Sequence, residues 1–217
     1  MSVEKQEAVN GVPSLFWISP GEGLSEELYQ GLAACVREGL DGFQLRERHS
    51  FPRDLLPAVA RCREILPASQ GWLMVNDRLD LALASEADGV HLRRTSLPPA
   101  VARKAVGSQL RIGASVHDEE ELREALAGEV DYVFASPVFP VRKSAGPPRP
   151  PLGLFGLRSL VELSNVPVIA LGGILPSNAA EVLETGVHGL AFMRGPLASG
   201  DPGGFVRALR ELLGNRS

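Results

Sequence analysis

The sequence has few of the features that mark several large classes of protein. Its only cysteines are Cys35 and Cys62, which excludes a disulfide scaffold and a multi-cysteine zinc module. No apolar run approaches the roughly 18 residues of a membrane span, and the acidic N-terminal segment is broken at Pro13, so a signal peptide is not expected. Runs of basic residues are absent and the formal net charge is -4, which argues against nucleic acid as a partner. We therefore expect a cytoplasmic globular protein that binds neither membranes nor nucleic acid.

Short strand-like runs alternate with amphipathic, helix-like segments along the whole chain. The predicted strands cover residues 15–18, 42–46, 72–76, 88–92, 110–115, 131–135, 166–171 and 189–193. The predicted helices cover residues 22–38, 53–65, 79–85, 98–106, 119–127, 154–163, 177–184 and 202–213. Eight strand–helix units of roughly 27 residues each are typical of a (β/α)₈ TIM barrel, an α/β fold. We predict one barrel domain over residues 12–214, preceded by an N-terminal extension over residues 1–11.

One segment interrupts this regular alternation. Residues 137–151 contain six of the 17 prolines and show no hydrophobic periodicity. A connection of this length inside a compact domain is usually either disordered or functional. Because it follows the sixth strand, it would lie at the end of the barrel where such proteins keep their active sites.

The second strand ends in a cluster of long polar side chains. Since side chains alternate between the two faces of a strand, Gln44, Arg46 and Arg48 are predicted to share one face. If that face is the barrel interior, two guanidinium groups lie at its mouth. Burying such charges is costly unless an anion or a water-filled pocket meets them.

Polar residues also follow the third, fourth and fifth strands. Asn76 and Asp77 end the third strand, and His91 lies at the end of the fourth. Ser115 and His117 lie at the end of the fifth. An Asn-Asp pair is also common in turns, and a histidine near a strand end is more often a packing residue than a catalyst. Both interpretations are open from the sequence alone.

The seventh and eighth strands are followed by glycine-containing loops. Gly172 and Gly173 follow the seventh strand, while Arg194 and Gly195 follow the eighth. Glycine allows backbone N–H groups to approach an anion closely, and barrels often hold a phosphate between these two loops. The sequence therefore predicts a phosphate site here.

The expected mouth of the barrel is strongly positive. The cations assigned to it are Arg46, Arg48, Arg93, Arg94, Arg142, Lys143 and Arg194, and the anions are Glu47 and Asp77. Focused positive potential in a cleft suits a substrate that carries phosphate or diphosphate. We find no Ser-His-Asp arrangement, no cysteine nucleophile beside a base, and no histidine-rich metal spacing in the sequence.

Six short segments together make the sequence similar to a known family. They are Gln-Leu-Arg-Glu-Arg at 44–48, Val-Asn-Asp-Arg at 75–78, Ala-Asp-Gly-Val-His-Leu at 87–92, Ser-Val-His at 115–117, Pro-Val-Phe-Pro at 137–140 and Ala-Leu-Gly-Gly-Ile at 170–174. In order and spacing they resemble the thiamine phosphate synthase family, which includes the TenI-type thiazole tautomerases. The resemblance runs from about Phe16 to Gly195. It implies a (β/α)₈ barrel that binds a thiazole phosphate.

The resemblance also implies roles for individual residues. The positions expected to contact the pyrimidine or diphosphate are Gln44, Arg46, Asn76 and Ser115. Asp77 would bind Mg²⁺, and Gly172 with Gly173 would hold the thiazole phosphate. We further assign catalytic roles to Arg46, Arg48, His117 and Lys143, and substrate binding to Arg93, Arg194 and Gly195. The expected partners are phosphorylated small molecules and, in a homo-oligomer, further copies of the same chain.

The chain departs from the synthase pattern at several of these positions. After the fourth strand the family has His-Leu-Gly-Gln-Glu-Asp, whose Asp is a second magnesium ligand, whereas this chain has Ser96 there. The usual Thr-Pro-Thr-Lys of the proline-rich loop is replaced by Val-Arg-Lys-Ser at 141–144. Arg48 stands where the family usually has Lys, and Arg194 where it usually has Ser. The resemblance therefore implies an incomplete magnesium site.

Three functions remain open from the sequence. The first is a divergent thiamine phosphate synthase, in which Arg93 or Arg94 replaces part of the lost metal charge. The second is a TenI-like tautomerase with His117 as general base, although the usual catalytic His of that branch falls where Pro137 stands. The third is a non-catalytic paralogue that binds a phosphorylated ligand.

Overall fold

A computed structural model of the chain describes residues 11–48, 50–141 and 149–214. Its eight strands form a closed parallel barrel in the order of the sequence, and β1 pairs with β8 to complete the ring. The strands are β1 (Leu15–Ile18), β2 (Gly42–Leu45), β3 (Trp72–Asn76), β4 (Gly89–Leu92), β5 (Arg111–Val116), β6 (Tyr132–Ala135), β7 (Val168–Leu171) and β8 (Gly189–Phe192). The predicted (β/α)₈ fold is confirmed, and every predicted strand is present with small differences in its ends.

The helices follow the strands around the outside of the barrel. The nine helices of the described residues are α1 (Glu26–Arg37), α2 (Pro52–Ile65), α3 (Leu79–Leu83), α4 (Pro99–Val106), α5 (Glu119–Ala127), α6 (Gly153–Leu163), α7 (Ala179–Leu183), α8 (Gly195–Ala198) and α9 (Pro202–Gly214). The short helix α8 was not predicted. It begins immediately after β8, where four residues are too few to show a helical periodicity.

Side-chain caps explain where two helices begin. The Ser25 hydroxyl accepts a hydrogen bond from the backbone N–H of Leu28, so α1 begins after the predicted residue 22. Asp118, predicted as an N-cap, accepts from the backbone N–H of Glu121 and opens α5. Capping satisfies backbone donors that have no partner within the helix.

The core has two parts, as expected for a barrel with an outer ring of helices. Outward-facing strand residues pack against the helices in one large cluster. A second, smaller cluster fills the barrel interior around the aromatic rings of Phe16, Tyr132 and Phe134. The Phe16 ring lies 5.4 Å from that of Tyr132 and 5.3 Å from that of Phe134. These aromatic side chains fill the barrel interior beneath the polar residues at the carboxyl ends of the strands.

Both cysteines are buried free thiols. Burial raises the pKa of Cys35 and of Cys62 to about 12. Neither is therefore suited to act as a nucleophile at neutral pH. None of the helices in the described ranges has the length and apolar character needed to cross a membrane.

Candidate active site

Two cavities open side by side at the carboxyl ends of the strands. Their volumes are about 340 Å³ and about 680 Å³, and both are lined by Arg46, Arg48, His117 and Arg149. The smaller cavity lies over β2 to β5, and the larger one extends towards the loops after β6, β7 and β8. Arg46 and Gly173 line the same cavity. The guanidinium groups and the glycine loops predicted from separate parts of the sequence therefore meet at one opening.

The side chains of Gln44 at the end of β2 and of Arg46 and Arg48 just after it all line the smaller cavity. The prediction that these three residues share one face is confirmed. Arg46 is only 9% exposed. Its backbone N–H donates to the Ser19 hydroxyl at 2.7 Å, and its guanidinium donates to the carbonyl oxygen of Pro20 at 3.2 Å. No carboxylate among the described residues forms an ion pair with Arg46. A nearly buried cation of this kind is suited to an anionic ligand.

The side chains of Gln44 and Asn76 meet across β2 and β3. The Gln44 amide N–H₂ donates to the Asn76 side-chain oxygen at 3.0 Å, and both residues line the smaller cavity. Within the described residues, the buried Gln44 side-chain oxygen has no hydrogen-bond partner. An acceptor left in this state beside a cavity can bind an N–H donor of a ligand. This position therefore suits a polar heterocycle.

His91 is a buried residue that orients a hydroxyl group of the site. Its two ring nitrogens lie 3.1 Å from the Tyr132 hydroxyl and 2.9 Å from the Ser115 hydroxyl. Its ring also stacks on Phe134 with centroids 4.3 Å apart. Burial lowers the pKa of His91 to about 3, so the imidazole is neutral at neutral pH. Ser115, a predicted substrate-binding residue, lines the smaller cavity and is held in place by His91.

His117 forms a pair with Glu121, which the sequence analysis did not single out. The His117 Nδ1 donates to the Glu121 carboxylate at 2.6 Å, and the Glu121 carboxylate also accepts from the His117 backbone N–H at 3.0 Å. Glu121 further pairs with Arg94 at 3.3 Å and Arg149 at 3.4 Å. A carboxylate that binds Nδ1 sets the tautomer and orientation of an imidazole. The spacing of four residues at the start of a helix was the available signal for this pair.

The loops after β7 and β8 form the far wall of the larger cavity. Gly172 and Gly173 adopt φ values of 109° and 71°, in the left-handed region that favours glycine. A Cβ atom on Gly173 would lie 2.7 Å from the Cβ of Phe139. Arg194 and Gly195 line the same cavity. The two glycine-containing loops therefore meet at one wall, and phosphate binding there stays a prediction.

The proline-rich loop after β6 lies against this wall. The backbone N–H groups of Val138 and Phe139 donate to the carbonyl oxygens of Leu171 and Gly172, both at 3.0 Å. Arg149, from the returning end of the loop, lines both cavities and was missed in the sequence analysis. Arg142 and Lys143, assigned to the mouth from the sequence, lie outside the described residues, so the catalytic role of Lys143 stays a prediction.

Asp77, the predicted magnesium ligand, is engaged by other side chains. One carboxylate oxygen accepts from the Arg93 guanidinium and the other from the Ser96 hydroxyl. Burial opposes ionisation of Asp77, but these two contacts outweigh it and keep its pKa below the ordinary value. The described residues contain no group of three or more His, Cys, Asp and Glu that could hold a metal ion. A guanidinium against the carboxylate repels a divalent cation, so this donor set does not fit Mg²⁺.

The charge balance of the mouth differs from the sequence-based count. The described cations that line the two cavities are Arg46, Arg48, Arg93, Arg94, Arg149 and Arg194, and no described Asp or Glu lines either cavity. Glu47, counted as a mouth anion, instead accepts from the backbone N–H of Gly23 at 2.9 Å. Glu121 and Glu124 were omitted from the count, although both pair with Arg94. The mouth stays positive, but Arg93 and Arg94 are partly neutralised.

Comparison of the sequence with known proteins gives consistent results. The family model TMP-TENI, described as thiamine monophosphate synthase, matches residues 15–195. A thiamine-phosphate synthase from Chloroflexus aurantiacus is 34% identical over 182 residues, which cover 84% of this chain and 83% of the relative. Another from Albidiferax ferrireducens is 37% identical, with coverage of 84% and 83%.

Comparison of the fold with solved structures agrees with the sequence comparisons. The structure of a thiamine phosphate pyrophosphorylase from Pyrococcus furiosus matches with a TM-score of 0.83 and 32% identity. The match covers 93% of this chain and 95% of that chain. A thiamine phosphate pyrophosphorylase from Bacteroides thetaiotaomicron, at 19% identity and a TM-score of 0.68, shares the fold.

Proposed function

Since this chain belongs to the thiamine monophosphate synthase family, we propose that it is a transferase that joins hydroxymethylpyrimidine diphosphate to thiazole phosphate and releases diphosphate. The observation that supports this most strongly is the position of Arg46. Its nearly buried guanidinium, without a carboxylate partner among the described residues, borders both the polar cavity and the glycine-lined cavity. One cation can therefore serve two phosphorylated substrates bound side by side.

The reaction needs positive charge where the leaving group departs. The bond between the pyrimidine methylene carbon and the diphosphate oxygen breaks, and its electron pair leaves with the diphosphate. The lone pair of the thiazole ring nitrogen then forms the new carbon–nitrogen bond, which gives a thiazolium. Fixed cations such as Arg46, Arg48 and Arg93 stabilise the charge that develops on the diphosphate.

The remaining residues of the site bind and orient the two rings. Gln44, Asn76 and Ser115 face the pyrimidine in this assignment, with the unpartnered oxygen of Gln44 accepting from a ring substituent. Backbone amides around Gly172 and Gly173, together with Arg194, hold the thiazole phosphate. Holding both reactants in the same opening replaces a bimolecular encounter by a reaction between neighbours.

Magnesium is the cofactor that the family resemblance implies for this site. The family resemblance placed a Mg²⁺ ion at Asp77. Because both oxygens of Asp77 are already engaged by Arg93 and Ser96, we route no step of the reaction through a metal ion.

An assay of the purified protein with both substrates tests the proposal. We expect thiamine phosphate and diphosphate to form in equal amounts. Arg46→Met should lower kcat/KM by about 10- to 100-fold, because a charge-assisted contact to the leaving group is lost. Arg207→Met is the matched control, since Arg207 pairs with Glu38 on the outside of the barrel. Failure to form thiamine phosphate, with or without added Mg²⁺, would contradict the proposal. Binding of thiazole phosphate without turnover would instead indicate the non-catalytic paralogue.

The pair formed by His117 and Glu121 supports a second candidate function. A carboxylate-oriented imidazole at the cavity wall is the arrangement of a general base. A TenI-like tautomerase would use it to move a proton on a thiazole carboxylate phosphate. If this is the activity, His117→Ala should abolish isomerisation, and Glu121→Gln should slow it, because the carboxylate that orients the imidazole is lost. Unchanged isomerisation in His117→Ala would remove this candidate.

Other expectations from the sequence stay predictions. They are the cytoplasmic location, a homo-oligomeric state and the separation of an N-terminal extension from the barrel domain. Cell fractionation, light scattering and limited proteolysis, respectively, would test them.

A further inference from the structure

The ion pair between Arg93 and Asp77 occupies the position where the family resemblance places a magnesium site. We propose that the Arg93 guanidinium takes the place of that metal, so that this chain binds diphosphate directly, without a divalent cation. This inference rests on the proposed function, because the diphosphate is the leaving group of that reaction. Its test uses diphosphate binding, which can be measured whether or not the transfer reaction occurs.

The local geometry fixes Arg93 in one place. Its guanidinium donates to one oxygen of Asp77, while the Ser96 hydroxyl donates to the other. The Ser96 hydroxyl also accepts from the Arg93 backbone N–H at 2.7 Å, and the Ser96 backbone N–H donates to the Arg93 carbonyl oxygen at 2.9 Å. Ser96 therefore links the turn that carries Arg93 to the carboxylate that holds its side chain. A serine can make these contacts, whereas an aspartate would add a second negative charge beside Asp77.

The replacement keeps the net charge of the site. Two carboxylates around one divalent cation sum to zero, and so do one carboxylate and one guanidinium. This chain has Ser96 where the family has Asp, and Arg93 where the family has Gly. The two differences therefore belong together. Changing only one of them would leave an unbalanced charge in a partly buried place, where the side chain of Asp77 is 25% exposed.

Arg93 also has N–H groups left to bind an anion. A guanidinium carries five donors, and the contact with Asp77 uses only one of its terminal nitrogens. Within the described residues, the buried Nε of Arg93 has no hydrogen-bond partner. The side chain is 40% exposed and lines the smaller cavity together with Arg46 and Arg48. Planar guanidinium groups bind phosphate oxygens in pairs, which a compact ammonium group cannot do.

Arg94, the other sequence candidate for this role, is placed differently. Its guanidinium pairs with Glu121 at 3.3 Å and with Glu124 at 3.5 Å, on helix α5. It is therefore directed away from Asp77. The structure assigns the replacement of the metal to Arg93.

Calorimetry with inorganic diphosphate tests the proposal on the full chain. We expect the unaltered protein to bind diphosphate in EDTA, without any divalent cation. Arg93→Met should weaken binding in EDTA by about tenfold or more, and Arg93→Lys should restore only part of the affinity. Arg207→Met, which breaks an ion pair of the same type far from the cavities, should bind as the unaltered protein does.

The reverse exchange provides a second, independent variant. Arg93→Gly combined with Ser96→Asp places a second carboxylate beside Asp77 and removes the guanidinium. Diphosphate binding by this variant should be lost in EDTA and return when Mg²⁺ is added. Circular dichroism and thermal unfolding establish that each variant is folded before it is titrated.

Two results would overturn the proposal. One is that the unaltered protein binds diphosphate only when Mg²⁺ is present. The other is that Arg93→Met or the double variant binds diphosphate in EDTA as tightly as the unaltered protein. If metal-free binding depends on Arg93 but no thiamine phosphate forms in the assay, then the proposed function fails while this inference about the anion site stands.

Discussion

At the scale of single residues, His91 connects the barrel interior to the site above it. Its ring lies among the aromatic side chains of the interior, and one of its nitrogens reaches the Ser115 hydroxyl at 2.9 Å. A neutral imidazole supplies one donor and one acceptor, which satisfies the buried Tyr132 hydroxyl and Ser115 together. We infer that His91 acts as a positioning residue.

The stability of the protein should depend on pH through His91. Its pKa is about 3 in the folded state and about 6.5 in the unfolded chain. Between these values the unfolded state binds more protons, so the free energy of unfolding falls as the pH drops from about 6.5 towards 3, by up to about 1.4 kcal/mol per pH unit. His91→Phe should reduce this dependence. It should also cost about 1–3 kcal/mol at pH 7, because two hydroxyl groups lose their partner.

Urea unfolding at pH 7 and pH 5 measures both effects. Ser115→Ala is the control, since it removes one hydrogen bond of His91 but retains the imidazole. An equal pH dependence in His91→Phe and the unaltered protein would show that His91 does not contribute to it.

At the scale of elements, the loops after β6 and β7 form one wall because they are hydrogen-bonded to each other. The contact at Gly173 is close, since an added Cβ would lie 2.7 Å from Phe139. Gly200 has a similar φ of 74°, but no atom lies within 4 Å of the corresponding position. An alanine at either glycine would strain the backbone, but only an alanine at Gly173 would also displace the neighbouring loop. Comparing the two substitutions therefore separates these two effects.

Gly173→Ala should raise KM for thiazole phosphate by about tenfold or more, because the displaced loop no longer places its amides at the phosphate. Gly200→Ala should lose about 1 kcal/mol of stability through its backbone conformation alone, and it should keep KM within twofold. Steady-state kinetics with varied thiazole phosphate distinguishes them. Similar KM values for the two variants would show that the β7 loop does not bind the phosphate.

At the scale of the whole molecule, closure of the barrel depends on its aromatic interior. Phe16 from β1 contacts Tyr132 and Phe134 from β6, a strand that is not its neighbour in the ring. An added Cβ on Gly42 would lie 2.5 Å from the Phe16 ring, so that ring also fills the space that the neighbouring strand leaves open. Residues far apart in the sequence therefore share one packing unit.

Phe16→Ala should lower the free energy of unfolding by about 3–5 kcal/mol, because it opens a cavity at the centre of the barrel. Phe155→Ala should change it by less than about 0.5 kcal/mol, since Phe155 is 88% exposed. Urea denaturation measures the shift in midpoint at a constant slope. A similar shift for both variants would mean that the interior cluster does not determine stability.

Much of this architecture could be predicted from local patterns. Alternation of side chains placed Gln44, Arg46 and Arg48 on one face, and the glycines after the seventh strand indicated a phosphate loop. The shared face was confirmed because strand period and strand order fix which residues reach the mouth of a barrel, whereas phosphate binding by the glycine loop stays a prediction. Arg149 and Glu121 were missed because neither lies at the end of a strand. Each reaches the site only through the path of a loop or the first turn of a helix.

The sequence by itself determined the eight repeated units, the order of the strands and the family to which the chain belongs. Only the tertiary structure decided which charges pair with one another. Asp77 and Arg93 follow different strands, and whether their side chains meet depends on how the barrel places neighbouring strand ends. Electrostatic interaction depends on distance and burial. The sequence alone was therefore compatible both with a magnesium ion at Asp77 and with a guanidinium in its place.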